Sequence, residues 1–219
     1  LHPKAIADMG LDKETILKHN PNIIYAHSSG YGRFGPHTHD TCQDITGMAR
    51  SGFLFLSSTP EGDPIYPVGG LSDVLSATML AFGITMSLLD KERNGQTRAV
   101  YTSQLITMMW TALLPVGLLL NKGLAFPRYD HDNAYKPLMN LYKCADGEWY
   151  AVCILLSDRY WREFCKVIDM PELADDPRFD REEFLAENRR EAVAIVDRAF
   201  AKQPRAEWER RFREHGLLG

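Results

Sequence analysis

Charge is missing from two long stretches of this 219-residue chain, residues 74–89 and residues 100–120. The first stretch is shorter than the roughly 18 apolar residues that span a membrane. The second is interrupted by Pro115 and by several Thr, Ser and Gln residues. We therefore expect no membrane span and interpret both stretches as helices that are buried on most sides, in a core or in a subunit interface.

Clustered positive charge and paired cysteines are also missing. The net charge is −4 and no basic run occurs, so the sequence does not predict a nucleic-acid partner. No CxxC pair occurs, and we interpret the cysteines as reduced thiols of a cytoplasmic protein. They are Cys42, Cys144, Cys153 and Cys165. Since the chain also opens without a Met or a signal-peptide pattern, we expect a fragment of a longer protein.

Residues 1–120 alternate between helix and strand patterns, which is typical of an α/β domain. Gly, Pro and Asn mark the turns between these elements. We predict helices at 12–20, 41–50 and from Asp73 to about residue 93, strands at 22–29, 53–58 and 98–101, and an apolar helix that ends near residue 120.

The character of the chain changes after residue 120. Residues 121–137 contain Gly, Pro and Asp with little periodicity, and we interpret them as a linker. Apolar runs then flank Asp146-Gly147, a strong hairpin-turn signal, and charged amphipathic helices follow. We therefore predict a smaller α+β domain at residues 138–219.

Three glycines, Gly30, Gly32 and Gly35, fit the dinucleotide-binding pattern G-x-G-x-x-G after a predicted strand. However, Pro36 interrupts the helix that would open at the third glycine, and no ribose-binding acid follows at the required distance. We favour a loop in which glycine lets the backbone approach a neighbour or a ligand closely.

The residues after this loop include His37, His39, Asp40 and Cys42. The first three are metal ligands by type, but no third spaced ligand accompanies the H-x-H pair, so we favour a solvated turn and expect no metal. No base or cation near Cys42 in the sequence would activate its thiol, which disfavours a nucleophilic cysteine.

Asp73 stands at the start of the first uncharged stretch, directly after Gly69-Gly70 and Ser72. One interpretation is that Ser72 is the N-cap and that Asp73 only stabilises the helix dipole. The other is that Asp73 is a nucleophile or base in a dry corner rich in backbone N–H groups.

Three ordered stretches make the pattern more specific: residues 20–36 (NPNIIYAHSSGYGRFGP), 43–53 (QDITGMARSGF) and 67–96, which contains Asp73. Together with the Asp146-Gly147 hairpin they resemble the class III CoA-transferase family. That family includes formyl-CoA transferase, carnitine CoA-transferase and α-methylacyl-CoA racemase. The resemblance implies part of a Rossmann-like large domain at residues 1–120.

The resemblance implies covalent catalysis by Asp73 in a water-poor cleft. Its carboxylate would attack an acyl-CoA thioester to form a mixed anhydride, and CoA would then form an aspartyl-CoA thioester before passing to a carboxylic acid. Coenzyme A enters as acyl-CoA substrate, and no metal is implied. The implied CoA-binding residues are Met9, Asp40, Thr41, Cys42 and Gln43.

The resemblance also implies an interlocked homodimer, or a heteromer, and an N-terminal α/β portion that precedes these residues in the family. Two alternatives stay open. A racemase would need a second acid or base, but Gln43 replaces the His of the racemase branch. A non-catalytic subunit is suggested by Asp8, where the family has a basic residue, and by the lack of the family's glycine loop.

Overall fold

The computed structural model describes residues 2–219 and divides the chain into two compact units, Leu1–Arg128 and Tyr129–Gly219. The boundary falls inside the segment 121–137 that we predicted as a linker. Both units mix helix and strand, and most of the ordered residues are helical. The α/β class is therefore confirmed, as a mostly helical chain with two small two-stranded sheets.

The first unit has a parallel pair of strands, β1 (Ala26–Ser29) and β2 (Val100–Ser103), with Ala26 opposite Val100 and Ser29 opposite Ser103. Because the strands are parallel, their carboxyl ends meet at one edge. The helices of this unit are α1 (Pro3–Asp8), α2 (Lys13–His19), α3 (Asp44–Arg50), α4 (Phe53–Leu56), α5 (Leu71–Asn94), α6 (Gln104–Thr111) and α7 (Leu113–Lys122).

Helix α5 begins after Gly70 and ends before Gly95, both with positive φ, at 79° and 68°. It packs against β2 through Gly83, where a Cβ would lie 2.4 Å from Val100 Cγ1. Its buried residues are serines rather than large apolar residues: Ser72, Ser76 and Ser87.

Most apolar side chains of α5 are exposed in this chain, so of the two predicted environments, a core or a subunit interface, the core of this chain does not hold them. Val74 and Phe82 are 64% and 61% exposed, in contrast to the buried serines of the same helix. Among residues 2–219, α5 is the helix long and apolar enough to cross a membrane, and 17% of its most apolar window is buried. Helices α6 and α7 meet the same criterion only as a pair bent by 85°.

Two further predictions were wrong in detail. The predicted strand at 53–58 is absent: Phe53–Leu56 form helix α4, because Gly52 adopts φ 82° and starts a new short helix after α3. The apolar helix before residue 120 is broken at Ala112 into α6 and α7. Pro115 lies in the first turn of α7, where its missing N–H costs no hydrogen bond.

The second unit contains the predicted hairpin, formed by β3 (Met139–Lys143) and β4 (Trp149–Cys153). The strands are antiparallel, and Gly147 has φ 84° in the turn. The helices are α8 (Ser157–Val167), α9 (Glu182–Glu187), α10 (Arg189–Phe200) and α11 (Arg205–Glu214), with a 3₁₀ turn at Pro171–Asp175.

An aromatic core fills the second unit, centred on Phe200, which stacks on Trp208 at 4.5 Å between ring centroids. The Trp208 Nε1–H donates to the Phe200 carbonyl oxygen at 3.0 Å, so its polar atom is satisfied inside the core. The first unit buries fewer apolar side chains. Within residues 2–128 these are Tyr31, Met48, Met108 and Ala112.

Candidate functional site

Parallel pairing brings two chain segments together at the carboxyl edge of β1 and β2. Gly30 follows β1, and Gln104 follows β2 as the first residue of α6. The Leu105 N–H donates to the Gly30 carbonyl oxygen at 3.0 Å and extends the pairing past the strands. In parallel sheets this edge is where ligands commonly bind.

Gly30 permits a close approach between the glycine loop and the segment before α3. A Cβ on Gly30 would lie 2.1 Å from Cys42 Cβ and 2.8 Å from its Sγ, which are impossible separations. The interpretation of the loop as a place where the backbone approaches a neighbour is confirmed, and that neighbour is Cys42.

The N-terminus of α5 is capped by Asp44, the first residue of α3. Asp44 Oδ1 accepts from the backbone N–H groups of Ser72 at 2.7 Å and Asp73 at 3.3 Å, while Oδ2 accepts from Gly70 N–H at 2.8 Å. The prediction that Ser72 is the N-cap was wrong, because Gly70 occupies that position and Ser72 lies inside the first turn. A carboxylate from another helix supplies the acceptor.

Side-chain hydroxyl groups complete this network. Tyr66 donates to Asp44 Oδ2 at 2.8 Å and the Ser72 hydroxyl to Oδ1 at 2.9 Å. Burial raises the pKa of Asp44, but the hydrogen bonds from Tyr66, Ser72 and Gly70 outweigh that effect and lower the pKa from its ordinary value. Asp44 is therefore a buried, ionised anchor.

Asp73 lies in the first turn of α5, as predicted, but its carboxylate is exposed. The expectation of a water-poor cleft was therefore wrong for residues 2–219 taken alone. Its own backbone N–H donates to Asp44, so this donor is not available to a substrate oxygen. The Asp73 carboxylate instead accepts from the side-chain amide of Gln104, Nε2 to Oδ1.

Gln104 also contacts Cys42, whose thiol donates to Gln104 Oε1 at 2.8 Å. Cys42 is half-buried. Of the predicted CoA-binding residues, it is the one that is linked to Asp73, through Gln104. Sequence reasoning missed the roles of Gln104 and Asp44. The signal for Asp44 was its place in the stretch 43–53 that resembles the family, whereas Gln104 was visible only as a polar residue in an apolar stretch.

The other predicted CoA-binding residues are at the surface. Asp40 pairs with His37 at 2.7 Å and with Arg50 at 3.3 Å, and the hydrogen bond from His37 is the main cause that lowers the Asp40 pKa. Thr41 and Gln43 are exposed, and Met9 is 60% exposed after α1. Within residues 2–219, the hydrogen bonds to the Asp73 side chain come from none of these four.

Two other features do not form a site with Asp73. Residues 2–219 contain no group of three or more potential metal ligands, and His37 is instead paired with Asp40. An open cavity of about 560 Å³ lies between the C-terminal half of α5 and residues 98–101, and Asp73 does not line it. Two of its charged lining residues, Asp90 and Arg98, pair with each other at 2.5 Å.

Known proteins share both the sequence pattern and the fold of this chain. It is 30% identical over 217 residues to an acetyl-CoA:oxalate CoA-transferase of Acetobacter aceti, covering 94% of this chain and 53% of that protein. It is 28% identical over 216 residues to a succinyl-CoA:glutarate CoA-transferase of Mus musculus, covering 98% of this chain and 49% of that protein.

A solved structure agrees with these relatives. The crystal structure of Rv3272 from Mycobacterium tuberculosis in its orthorhombic form matches with a TM-score of 0.85 and 26% identity, over 100% of this chain and 56% of that one. The chain thus spans about half the length of the curated relatives it matches. The model of CoA-transferase family III matches residues 1–219, and the chain belongs to that family.

Proposed function

We propose that this chain carries the reacting carboxylate, Asp73, of an enzyme that moves CoA between an acyl-CoA thioester and a carboxylic acid. The observation that carries the proposal is the placement of Asp73. It is an exposed carboxylate in the first turn of a helix whose N-terminus is anchored by Asp44, at the carboxyl edge of parallel strands. Anchoring fixes the backbone of the nucleophile, which favours attack in one orientation.

The proposed reaction has four steps. Asp73 attacks the acyl carbon of the thioester, the C–S bond breaks, and a mixed anhydride and CoA thiolate form. The thiolate attacks Asp73 Cγ, the original acyl group leaves as a carboxylate, and an aspartyl-CoA thioester forms. The acceptor carboxylate then attacks Cγ and releases the thiolate, which finally attacks the acceptor's acyl carbon and frees Asp73.

This chemistry suits an ordinary aspartate. Its reference pKa of about 3.9 makes it a carboxylate at neutral pH. Exchange between thioesters and carboxylates is nearly balanced in free energy, so an enzyme must mainly position the groups and exclude water. Because Asp73 is exposed here, we propose that further parts of the protein or a second chain cover it.

We also propose that the protein forms a homodimer and that the outward apolar side chains of α5 contribute to the interface. Phe82 and Val74 leave a wide apolar face that a partner chain of the same sequence would bury. A heteromer remains the alternative assembly.

The test is covalent trapping in the protein expressed from its complete reading frame. After incubation with an acyl-CoA, hydroxylamine should convert Asp73 to a hydroxamate, located by peptide mass spectrometry. Acetyl-CoA and succinyl-CoA with oxalate and glutarate make a suitable first panel, because relatives are named for these compounds. Asp73→Asn should abolish trapping, whereas Asp63→Asn, which changes an exposed loop carboxylate, should not.

Other outcomes would select the alternatives. Exchange of the α-proton of the acyl-CoA without an acyl-enzyme would indicate a racemase. Absence of both trapping and exchange would indicate a non-catalytic subunit.

A further inference from the structure

Gln104 joins two groups of the site through the two ends of one amide. Its Nε2 donates to Asp73 Oδ1, and its Oε1 accepts from the Cys42 thiol at 2.8 Å. Its backbone is fixed because it directly follows β2 and precedes Leu105, whose N–H is bonded to the Gly30 carbonyl.

The two contacts require the same orientation of the amide. A thiol S–H donates to an oxygen, and an ionised carboxylate accepts from an N–H. If the amide were rotated by 180°, Oε1 would face the Asp73 carboxylate and the NH₂ group would face the Cys42 S–H donor. The Asp73 carboxylate and the Cys42 thiol therefore both favour the orientation in which Gln104 donates to Asp73.

Two glycines confine this arrangement. A Cβ on Gly47 of α3 would lie 3.0 Å from Gln104 Cβ and 3.4 Å from Oε1, so α3 packs tightly against the side chain. Gly30 lets Cys42 approach from the other side. The donor is thus positioned before any substrate binds, which is the condition for effective electrostatic stabilisation of a transition state.

We infer that Gln104 is a second catalytic residue, whose amide stabilises negative charge on Asp73 Oδ1 whenever Asp73 Cγ becomes tetrahedral. The inference rests on the proposed role of Asp73 as nucleophile. When Asp73 attacks through Oδ2, Oδ1 becomes the carbonyl oxygen of the anhydride. CoA thiolate then adds to Cγ, the C=O electron pair moves onto Oδ1, and the Gln104 N–H donates to that oxyanion until the carboxylate leaves.

The same donor acts when the acceptor carboxylate attacks the aspartyl-CoA thioester, since that attack is also at Cγ. The first and last steps differ, because there the tetrahedral carbon belongs to the substrate. Loss of the Gln104 donor should therefore slow the steps at Cγ more than the first attack on the thioester. Removal of one oxyanion donor typically costs about 10²–10³-fold.

The experiment compares two variants. Gln104→Met keeps the length and the apolar stem of the side chain but lacks the N–H donor. Gln96→Met makes the same change at an exposed position and is the control. Rapid quenching of the protein from its complete reading frame with acyl-CoA gives two rates: release of free CoA thiol, and appearance of the Asp73–CoA adduct by intact mass. For Gln104→Met we expect kcat and the adduct rate to fall about 10²-fold, with the first thiol release and KM changed much less. Gln96→Met should behave as the wild type.

A second pair tests the orientation of the amide independently of Gln104. Cys42→Ser retains a donor to Oε1 and should preserve most of the adduct rate, whereas Cys42→Ala removes the donor and should lower it about tenfold. Equal rates in Gln104→Met and wild type, with normal trapping at Asp73, would overturn the inference and leave the proposed function intact. No trapping at Asp73 in the wild type would overturn both.

Discussion

Asp44 and Asp73 are two carboxylates 29 residues apart in the chain, and they differ in burial and in the number of hydrogen bonds that they accept. Asp44 is buried and accepts from backbone and hydroxyl donors on both oxygens. Asp73 is exposed and accepts from one side-chain amide. A saturated, buried carboxylate has no room for a substrate, so Asp44 suits a structural role. The exposure of the other carboxylate supports the proposal that Asp73 is the reacting one.

Asp44→Asn should destabilise the protein by about 1–3 kcal/mol, because it exchanges a charged acceptor of several N–H groups for an amide with a competing donor. Denaturant unfolding measures the change. Asp40→Asn, at an exposed ion pair, is the control and should change stability much less.

The difference between wild type and Asp44→Asn should also depend on pH. Folding lowers the pKa of Asp44, so its stabilising contribution is complete above the unfolded pKa of about 3.9 and is lost as pH falls through the lower folded value. Unfolding curves at pH 7, 5 and 3 should show a constant difference at the first two and a smaller one at the third. A difference that grew toward acid would contradict the assignment of Asp44 as an ionised cap.

Helix α5 is positioned by small residues rather than by large apolar ones. Gly83 lets the helix approach β2, and that approach brings the N-terminus of α5 to the strand edge where Gln104 begins α6. The buried Ser87 hydroxyl donates to the Arg98 carbonyl oxygen at 2.8 Å and links the other end of α5 to the segment before β2. The distance between α5 and β2 therefore sets the position of Asp73 relative to Gln104.

Gly83→Ala should destabilise the first unit by about 1–3 kcal/mol, because the new Cβ would overlap Val100 Cγ1. Gly117→Ala in α7 is the matched control, since no atom lies within 4 Å of its added Cβ. There alanine should stabilise the helix by about 0.5–1 kcal/mol. Thermal melting measures both variants. If both substitutions raised the melting temperature, or both lowered it, the packing described for α5 would be contradicted.

The two units of the molecule differ in how they bury apolar surface. Residues 129–219 have a continuous aromatic core, whereas residues 2–128 leave much of their apolar surface exposed, including Phe82 on α5 and Trp110 on α6. Large contiguous exposed apolar surfaces mark interaction sites. This imbalance supports the proposal that another chain covers the first unit.

Phe82→Glu should weaken the proposed homodimer at least about tenfold, because an unpaired carboxylate would be buried in the interface. Analytical ultracentrifugation over a concentration series measures the change. Leu141→Glu introduces the same charge at a half-exposed apolar residue of the hairpin and should leave the dimer unchanged. A wild-type protein that stays monomeric at all concentrations would remove the dimer from the proposal.

The place of Asp73 in the fold could be anticipated because its signals are local. Asp73 follows paired glycines at the start of an uncharged stretch, and that pattern predicts a helix with Asp73 in its first turn. Gln104 could not be anticipated in the same way, because its contact with Asp73 spans 31 residues and its contact with Cys42 spans 62. Such contacts depend on the parallel pairing of β1 with β2, which periodicity does not encode.

The sequence alone determined those turns and helix ends whose backbone conformation depends only on neighbouring residues. The end of α5 at Gly95 and the turn at Asp146-Gly147 follow from glycine's access to positive φ. The tertiary structure alone decided that Asp44 caps α5 and that Gln104 donates to Asp73. These pairings form between residues far apart in the chain, so they exist only once the strands and helices have packed.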